Sequence, residues 1–380
     1  MIFFSYGRTW GSNLRILLVT RSINKVLGGL EKQILSIAEG LANLNHQVFI
    51  VSLDSGDVKP FYEHNEHPNI QWIGLGIGDP ASPATFQQKL RRQISLFQLI
   101  RKLKPDIAIS FMIGAFIYSR CPTFVLRVPL ILAERNSPDI YSLTSAKRWR
   151  YLYFLLMVFA TRVTIQFSEY SSKYPRFLQK KLISIPNSIG NPTFKKRLPS
   201  EELTFVYGGR FSFQKRIDLL IRSFDLYKQL GGTGSLILFG NGEQEGYLRH
   251  IVRTLKTPSV SFHPPVTDAN EVLAKADINC LLSIWEGFPN FLAEGLKAGI
   301  PGLGILGCDG VSQLISNGDN GWLVPSANIE EIAKIMLSIE CLSDLEYQEM
   351  SHAAISSVDA YRRDEIMCRW ERLLKDSVRA

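Results

Sequence analysis

Two glutamates, Glu286 and Glu294, stand eight positions apart in "SIWEGFPNFLAEGLKAGIP". Two carboxylates beside a turn broken by glycine and proline have the makings of an acid/base pair. The spacing argues otherwise. Pro289 suits the first turn of a helix running to Gly299 and Pro301, so Glu286 lies in the preceding loop and Glu294 inside the helix. Eight fully helical steps separate two residues by about 12 Å at 1.5 Å per residue. Glycosidase carboxyl pairs act on one bond across roughly 5–9.5 Å. The two glutamates are therefore expected to grip different parts of an elongated ligand, with the free amides of the helix start between them favouring negative charge.

A second group of candidates is cationic. In "VYGGRFSFQKRIDLLIRSF" a strand delivers Gly208 and Gly209, then Arg210, a short loop and Lys215, just ahead of an amphipathic helix. An arginine fork and a lysine ammonium at a strand's carboxyl end can hold the two phosphates of a nucleotide-sugar; a solvated basic loop is the plain alternative. "LILFGNGEQEG" ends a strand in a glycine turn at Gly240, but its spacing is GxGxxxG. The following strand, "SVSFHPP", lacks the acidic residue that a dinucleotide ribose would need. That turn reads as one beside a phosphate or nucleoside, without a dinucleotide cofactor. Near the amino end, Gly28 and Gly29 in "VLGGLEKQ" open a helix and would let backbone approach a ligand closely.

These residues need elements to position them. The first half alternates strand patterns ("RILLVT", "QVFIVSL", "IQWIGL", "DIAISF", "PLILAE", "VTIQF", "LISIP") with helical ones, "GLEKQILSIAEGLANL" and "FQQKLRRQISLFQLIRKL". The polar stretch "NSIGNPTFKKRLPSEE" reads as a linker. A second alternation follows from "LTFVYG" to "GWLVP", and helical patterns through Ile329–Ile339 and Arg362–Lys375 close the chain. Strands and helices alternating in this way predict parallel sheets covered on both faces. The fold class is therefore α/β, with two doubly wound Rossmann-like domains. The first spans residues 14–190, the second 200–360, and residues 361–380 form a terminal helix. Ligands of such sheets bind at the carboxyl ends of the strands, here in the cleft between domains.

Composition narrows the classes. With 380 residues, 46% hydrophobic, the chain has material for two globular cores. Five scattered cysteines without a CxxC pair argue against a disulfide framework or zinc site and for a reducing compartment. The net charge of +8 calls for an anionic partner. No nucleic-acid-binding signature accompanies the charge, so no nucleic-acid partner is expected. The amino end lacks the basic start and apolar core of a signal peptide, and residues 1–13 read as a short extension. The longest apolar run, Tyr151–Ala160, is about half of a membrane span. That run follows Lys147, Arg148, Trp149 and Arg150, and "KLRRQ" and "RKLK" add to the basic character of this half. It reads either as a face meeting anionic lipid or as a buried helix with a snorkelling basic end.

Taken together and in order, "GGR" followed by "QK", the "FGNGE" turn, "SIWEGFPNFLAEGLKAGIP" and "NGDNGWLV" resemble glycosyltransferase family 4. These are retaining nucleotide-sugar transferases of the GT-B fold. The Gly-Gly turn with Glu31, "LKPDIAIS" and "IPNSI" extend the likeness over roughly residues 14–375. The resemblance implies that Arg210 and Lys215 bind the donor diphosphate, that Glu294 takes the ribose hydroxyls and that Glu286 faces the transferred sugar. It sets the amides of Phe288 and Asn290 near sugar and phosphate, with Gly209 and Gly240 in the donor site. Gly28 and Gly29 would cover the diphosphate from the other domain, and the last helix would cross back to that domain. Arg210, Lys215 and a helix amino end would stabilise the leaving diphosphate without a metal or cofactor. Implied partners are a nucleotide-sugar, with UDP favoured, a glycan or undecaprenyl-diphosphate-linked acceptor, and an anionic membrane surface at the cytoplasmic side. A UDP-sugar isomerase of the 2-epimerase kind and a non-catalytic nucleotide-sugar-binding protein are the alternatives. Three departures stand out. "ERNSPD" replaces a frequent histidine, leaving Glu134 and Arg135 as acceptor or donor contacts; Gln313 replaces a frequent glutamate; and "LNHQV" replaces a Gly-His turn.

Overall fold

The computed structural model describes residues 13–23, 29–54, 67–79, 82–195 and 198–379. The first half supplies β1 (Arg15–Thr20), α1 (Gly29–Asn43), β2 (Gln47–Ser52), β3 (Ile70–Gly74), α2 (Phe86–Leu103), β4 (Ile107–Phe111) and α3 (Met112–Val125). Then come β5 (Leu130–Ala133), α4 (Ile140–Leu143), α5 (Arg150–Met157), β6 (Arg162–Ile165), α6 (Arg176–Gln179) and β7 (Leu182–Ser184). Their seven strands lie in the order β3-β2-β1-β4-β5-β6-β7, and every pairing is parallel. Both faces are covered, and all five residues of β4 are buried, apolar except for Ser110. α2 is bounded by a capping box of Thr85 with Gln88 and by left-handed Lys104.

The second half supplies β8 (Thr204–Gly208), α7 (Ile217–Gln229), β9 (Ser235–Phe239), α8 (Glu245–Leu255), β10 (Val260–His263), α9 (Ala269–Leu273), β11 (Ile278–Leu281) and α10 (Asn290–Lys297). It continues with β12 (Gly302–Ile305), α11 (Asp309–Ser312), β13 (Gly321–Val324), α12 (Ile329–Glu340), α13 (Asp344–Ser357) and α14 (Arg363–Arg379). Six parallel strands lie in the order β10-β9-β8-β11-β12-β13. In each sheet the order reverses beside the first strand, between β1 and β4 and between β8 and β11. At those reversals the connections leave the strand ends toward opposite faces of the sheet, which is where a ligand crevice opens. α14 leaves the second domain and packs Ile366, Met367, Trp370 and Leu374 into the core of the first, beside α1. An Arg363–Glu39 ion pair at 2.8 Å ties the same two helices.

Three features differ from the sequence reading. α3 carries Pro122 and is apolar nearly throughout, so it shows no amphipathic stripe. α13 buries Tyr347, Met350, Ser351 and Ala354, a face too small and too polar to stand out as a hydrophobic period. The stretch read as a linker begins as buried structure: Asn187 and Ser188 are nearly sealed from solvent, and Ile189 bridges to Arg362. Asn187 is tied down by Gln166, which donates to its Oδ1 at 3.0 Å.

Candidate active site

A cleft of about 460 Å³ opens at the carboxyl ends of both sheets. Arg210, Lys215, Glu286, Glu294, Gly29, Arg135, Gly209, Gly240, Phe288 and Asn290 all line it. Glu134 does not, and Gly28 lies outside the described residues.

On the second domain three loops are stitched together. Gly209 donates its N–H to Phe239 at 3.0 Å, and Phe211 donates to the Asn241 carbonyl at 2.7 Å. Gly240, at φ +141°, crosses so close that a Cβ there would overlap the Gly209 carbonyl. The β8–α7 loop is in turn fixed to the loop before α10. Ile284 donates to the Gln214 carbonyl at 2.8 Å, and the Gln214 amide donates to the Trp285 carbonyl at 2.5 Å. This brings the Lys215 ammonium to 2.6 Å from a Glu286 oxygen, with both side chains largely buried. Arg210 is far more exposed and rests on Glu243 at 3.3 Å.

α10 starts at Asn290, with Pro289 at the cap position and not inside the first turn. Its inner face, Leu292, Ala293, Gly295 and Leu296, is buried. Asn279 below it donates to the Phe291 carbonyl at 2.8 Å. Glu294 faces the cleft, and its carboxylate meets the Lys32 ammonium of the first domain at 2.6 Å. Glu286 and Glu294 therefore each hold a lysine of their own.

The first domain presses on this helix start. A Cβ on Gly29 would overlap the Asn290 amide, so a larger residue there would displace that side chain from its present place. Asn187 donates to Asn290 Oδ1 at 2.9 Å, and Gln33 donates to the Ser188 carbonyl at 3.0 Å. Tyr170, fully buried, donates its hydroxyl to the carbonyls of Glu286 at 2.6 Å and Gly287 at 3.0 Å. Phe288 stacks on Phe167 at 5.5 Å and meets the edge of Tyr361 at 5.3 Å. Lys173 spans the boundary, 2.8 Å from Asp139 and 2.5 Å from Asp309.

The "ERN" pair divides. Arg135 reaches the cleft, but its terminal nitrogens donate to the Ile185 carbonyl (3.0 Å), Asn187 Oδ1 (3.3 Å) and Thr164 Oγ1 (3.0 Å). Its guanidinium lies 5.2 Å above the Trp370 ring of α14. Burial lowers its pKa, yet a guanidinium stays charged at neutral pH. Glu134 turns inward and accepts from the Tyr141 hydroxyl; burial is the main force pushing its carboxyl from 4.5 up to about 7. Lys32, Tyr170 and Asn187 were not singled out from the sequence. Lys32 stands three residues after Gly29, and Asn187 lies within "IPNSI", so proximity to motifs was the available signal; Tyr170 had none. Among the described residues no group of three or more His, Cys, Asp or Glu side chains is placed to hold a metal ion.

Two facing parallel-sheet domains with a cation-lined cleft between them have the GT-B architecture. Residues 27–170 match the family "Glycosyltransferase Family 4" and residues 191–356 match "Glycosyl transferases group 1". The chain belongs to these family 4 glycosyltransferases. A Haemophilus influenzae protein described as an uncharacterized glycosyltransferase is 26% identical over 91% of this chain and 96% of its own length. A Campylobacter jejuni α-1,4-N-acetyl-D-galactosaminyltransferase, named for a diNAcBac-PP-undecaprenol-linked substrate, is 24% identical over 82% of this chain and 84% of its own. Anabaena HepE in complex with UDP-glucose superposes with a TM-score of 0.76 at 17% identity, covering 96% of this chain and all of that one.

Proposed function

We propose that the protein transfers a sugar from a UDP-linked donor, with retention at the anomeric carbon, to a glycan acceptor carried on a polyprenyl diphosphate. The setting is polysaccharide or lipopolysaccharide synthesis at the cytoplasmic face of a membrane. The carrying observation is the shared cleft in which Arg210 and Lys215 flank the start of α10, with Glu286 before that helix and Glu294 within it. Breaking the anomeric bond builds charge on the leaving diphosphate. Arg210, Lys215 and the α10 amides take that charge without reorganising at the moment of reaction. Glu294 then holds the ribose and Glu286 orients the transferred sugar. Attack comes on the face the diphosphate leaves, and a phosphate oxygen accepts the acceptor proton. UDP is favoured by the ligand of the HepE structure, and the lipid carrier by the substrate in the Campylobacter protein's name.

A peripheral membrane contact belongs to the same reading. No helix among the described residues is long and apolar enough to cross a membrane. α5 buries Phe154 and Met157 but leaves Tyr151, Leu152 and Leu155 in solvent, with Phe159 just beyond. Phe124 and Val125 at the end of α3 are also exposed. Arg120 of α3 lies 4.8 Å from the Phe159 ring, which joins the two helices, and Arg150 lies 4.9 Å from the Tyr151 ring. Arginines beside exposed aromatics suit an anionic interface. The "KLRRQ" segment contributes less than its composition suggests, because Arg92 is buried on Asp54.

The test is transfer of radiolabelled sugar from a panel of UDP- and GDP-sugars to a lipid-extractable acceptor. Label in the lipid phase from a UDP-sugar is the expected result. Conversion of the donor sugar without an acceptor would replace this reading with an isomerase.

A further inference from the structure

Three cations of the cleft each rest on a carboxylate. Lys215 meets Glu286 at 2.6 Å, Arg210 meets Glu243 at 3.3 Å, and Lys32 meets Glu294 at 2.6 Å. The first two pairs lie within one domain. The third crosses the cleft, from the start of α1 to the second turn of α10. Lys32 is oddly placed for its own helix, because a cation in a first turn opposes the helix dipole. Its ammonium is instead turned into the cleft, and its side chain keeps 41% exposure while Glu294 keeps 17%.

We infer that Lys32 is a donor-binding residue that exchanges partners: it holds Glu294 in the ligand-free cleft and moves to the diphosphate when the nucleotide enters. The inference rests on reading the cleft as a nucleotide-sugar site. Ribose hydroxyls donating to Glu294 would share its few lone-pair sites with Lys32, which already donates to Oε1. Ribose binding therefore competes with the ammonium for Glu294. The diphosphate arriving with the ribose is the stronger anion, and the lysine stem is flexible enough to follow it. Lys32 then contributes from the first domain the charge that Arg210 and Lys215 contribute from the second, so the donor draws the two domains together. The same exchange keeps Glu294 paired, and not stranded in a partly buried position, whenever the site is empty.

UDP and GDP affinity measured by calorimetry across a double-mutant cycle of Lys32→Gln and Glu294→Gln tests this, with Lys32→Arg as the conservative control. Loss of the Lys32 charge is expected to weaken diphosphate binding about tenfold, near 1.4 kcal/mol. The loss should persist in the Glu294→Gln background, where the ion pair no longer exists, and Lys32→Arg should restore most of it. A Lys32→Gln loss that vanishes in the Glu294→Gln background, or no loss at all, overturns the inference: Lys32 would then serve only its carboxylate. Wild-type protein that binds neither nucleotide overturns the reading of the cleft itself, and is distinguished from the first failure by the wild-type titration alone.

Discussion

Removing one oxygen from Tyr170 tests how the first domain sets the reacting end of the cleft. The hydroxyl is buried and donates to two successive carbonyls, those of Glu286 and Gly287, in the segment that carries the sugar-side carboxylate. Tyr170→Phe keeps the ring and its edge contact with Phe167 at 5.5 Å. The variant therefore removes hydrogen bonding with little loss of packing. A hydrogen bond of this kind contributes about 1 kcal/mol net, and a carbonyl left buried without a donor costs about 1–3 kcal/mol. For a domain of this size, each kcal/mol corresponds to a fall in Tm of roughly 2–4 °C. The effect on turnover should be larger, because a displacement on the order of 1 Å at the reacting centre costs about a hundredfold. Nucleotide affinity, anchored by Glu294 and the cations, should stay near that of the wild type. The assay is initial rate against donor concentration, with UDP calorimetry and a melting curve on the same preparations. A lowered Tm with kcat unchanged would refute the argument, since the bond would then support the fold and not the position of Glu286.

Two further outcomes follow from the same geometry. Glu134, raised to about 7 chiefly by burial, keeps its proton in the folded protein while the unfolded chain loses it near pH 4.5. The folded state thus binds more protons across that window, so stability falls as pH rises from about 4.5 to 7 and levels off above it. Glu134→Gln should flatten part of this slope in thermal melts and be more stable than wild type at pH 8. Glu31, also raised to about 7 by burial, keeps the remainder of the slope, and parallel wild-type and variant slopes would contradict the account. On the outer face, Leu155→Asp with Phe159→Asp should abolish most co-sedimentation with anionic vesicles at low salt while leaving UDP affinity unchanged. Undiminished sedimentation would remove α5 from the proposed membrane face.

What the sequence disclosed depended on how local the signal was. Strands such as β4 and β9 and helices such as α1 and α2 announce themselves by largely apolar runs or by three- and four-residue periods, and their bounds read within a residue or two. α3 and α13 escaped because one is apolar on every side and the other buries small and polar residues. In the site, Arg210, Lys215, Glu286 and Glu294 were legible because each sits within a few residues of a glycine or proline turn. Their partners were not. Lys32 meets Glu294 across 262 positions and Tyr170 meets Glu286 across 116, distances over which only the tertiary fold decides contact. Glu134 and Arg135 show the converse. They are adjacent in sequence and equally polar, yet one turns under Tyr141 and the other lines the cleft.

The central claim is that Glu294 holds the nucleotide and Glu286 the transferred sugar, so calorimetric UDP binding measured beside turnover for Glu294→Ala and Glu286→Ala tests it most directly. The account predicts weakened UDP binding for Glu294→Ala. For Glu286→Ala it predicts lost turnover with UDP held at least as tightly as in wild type, because Lys215 is released from its carboxylate partner toward the diphosphate. Equal losses of UDP affinity in both variants, or full turnover in Glu286→Ala, would contradict it.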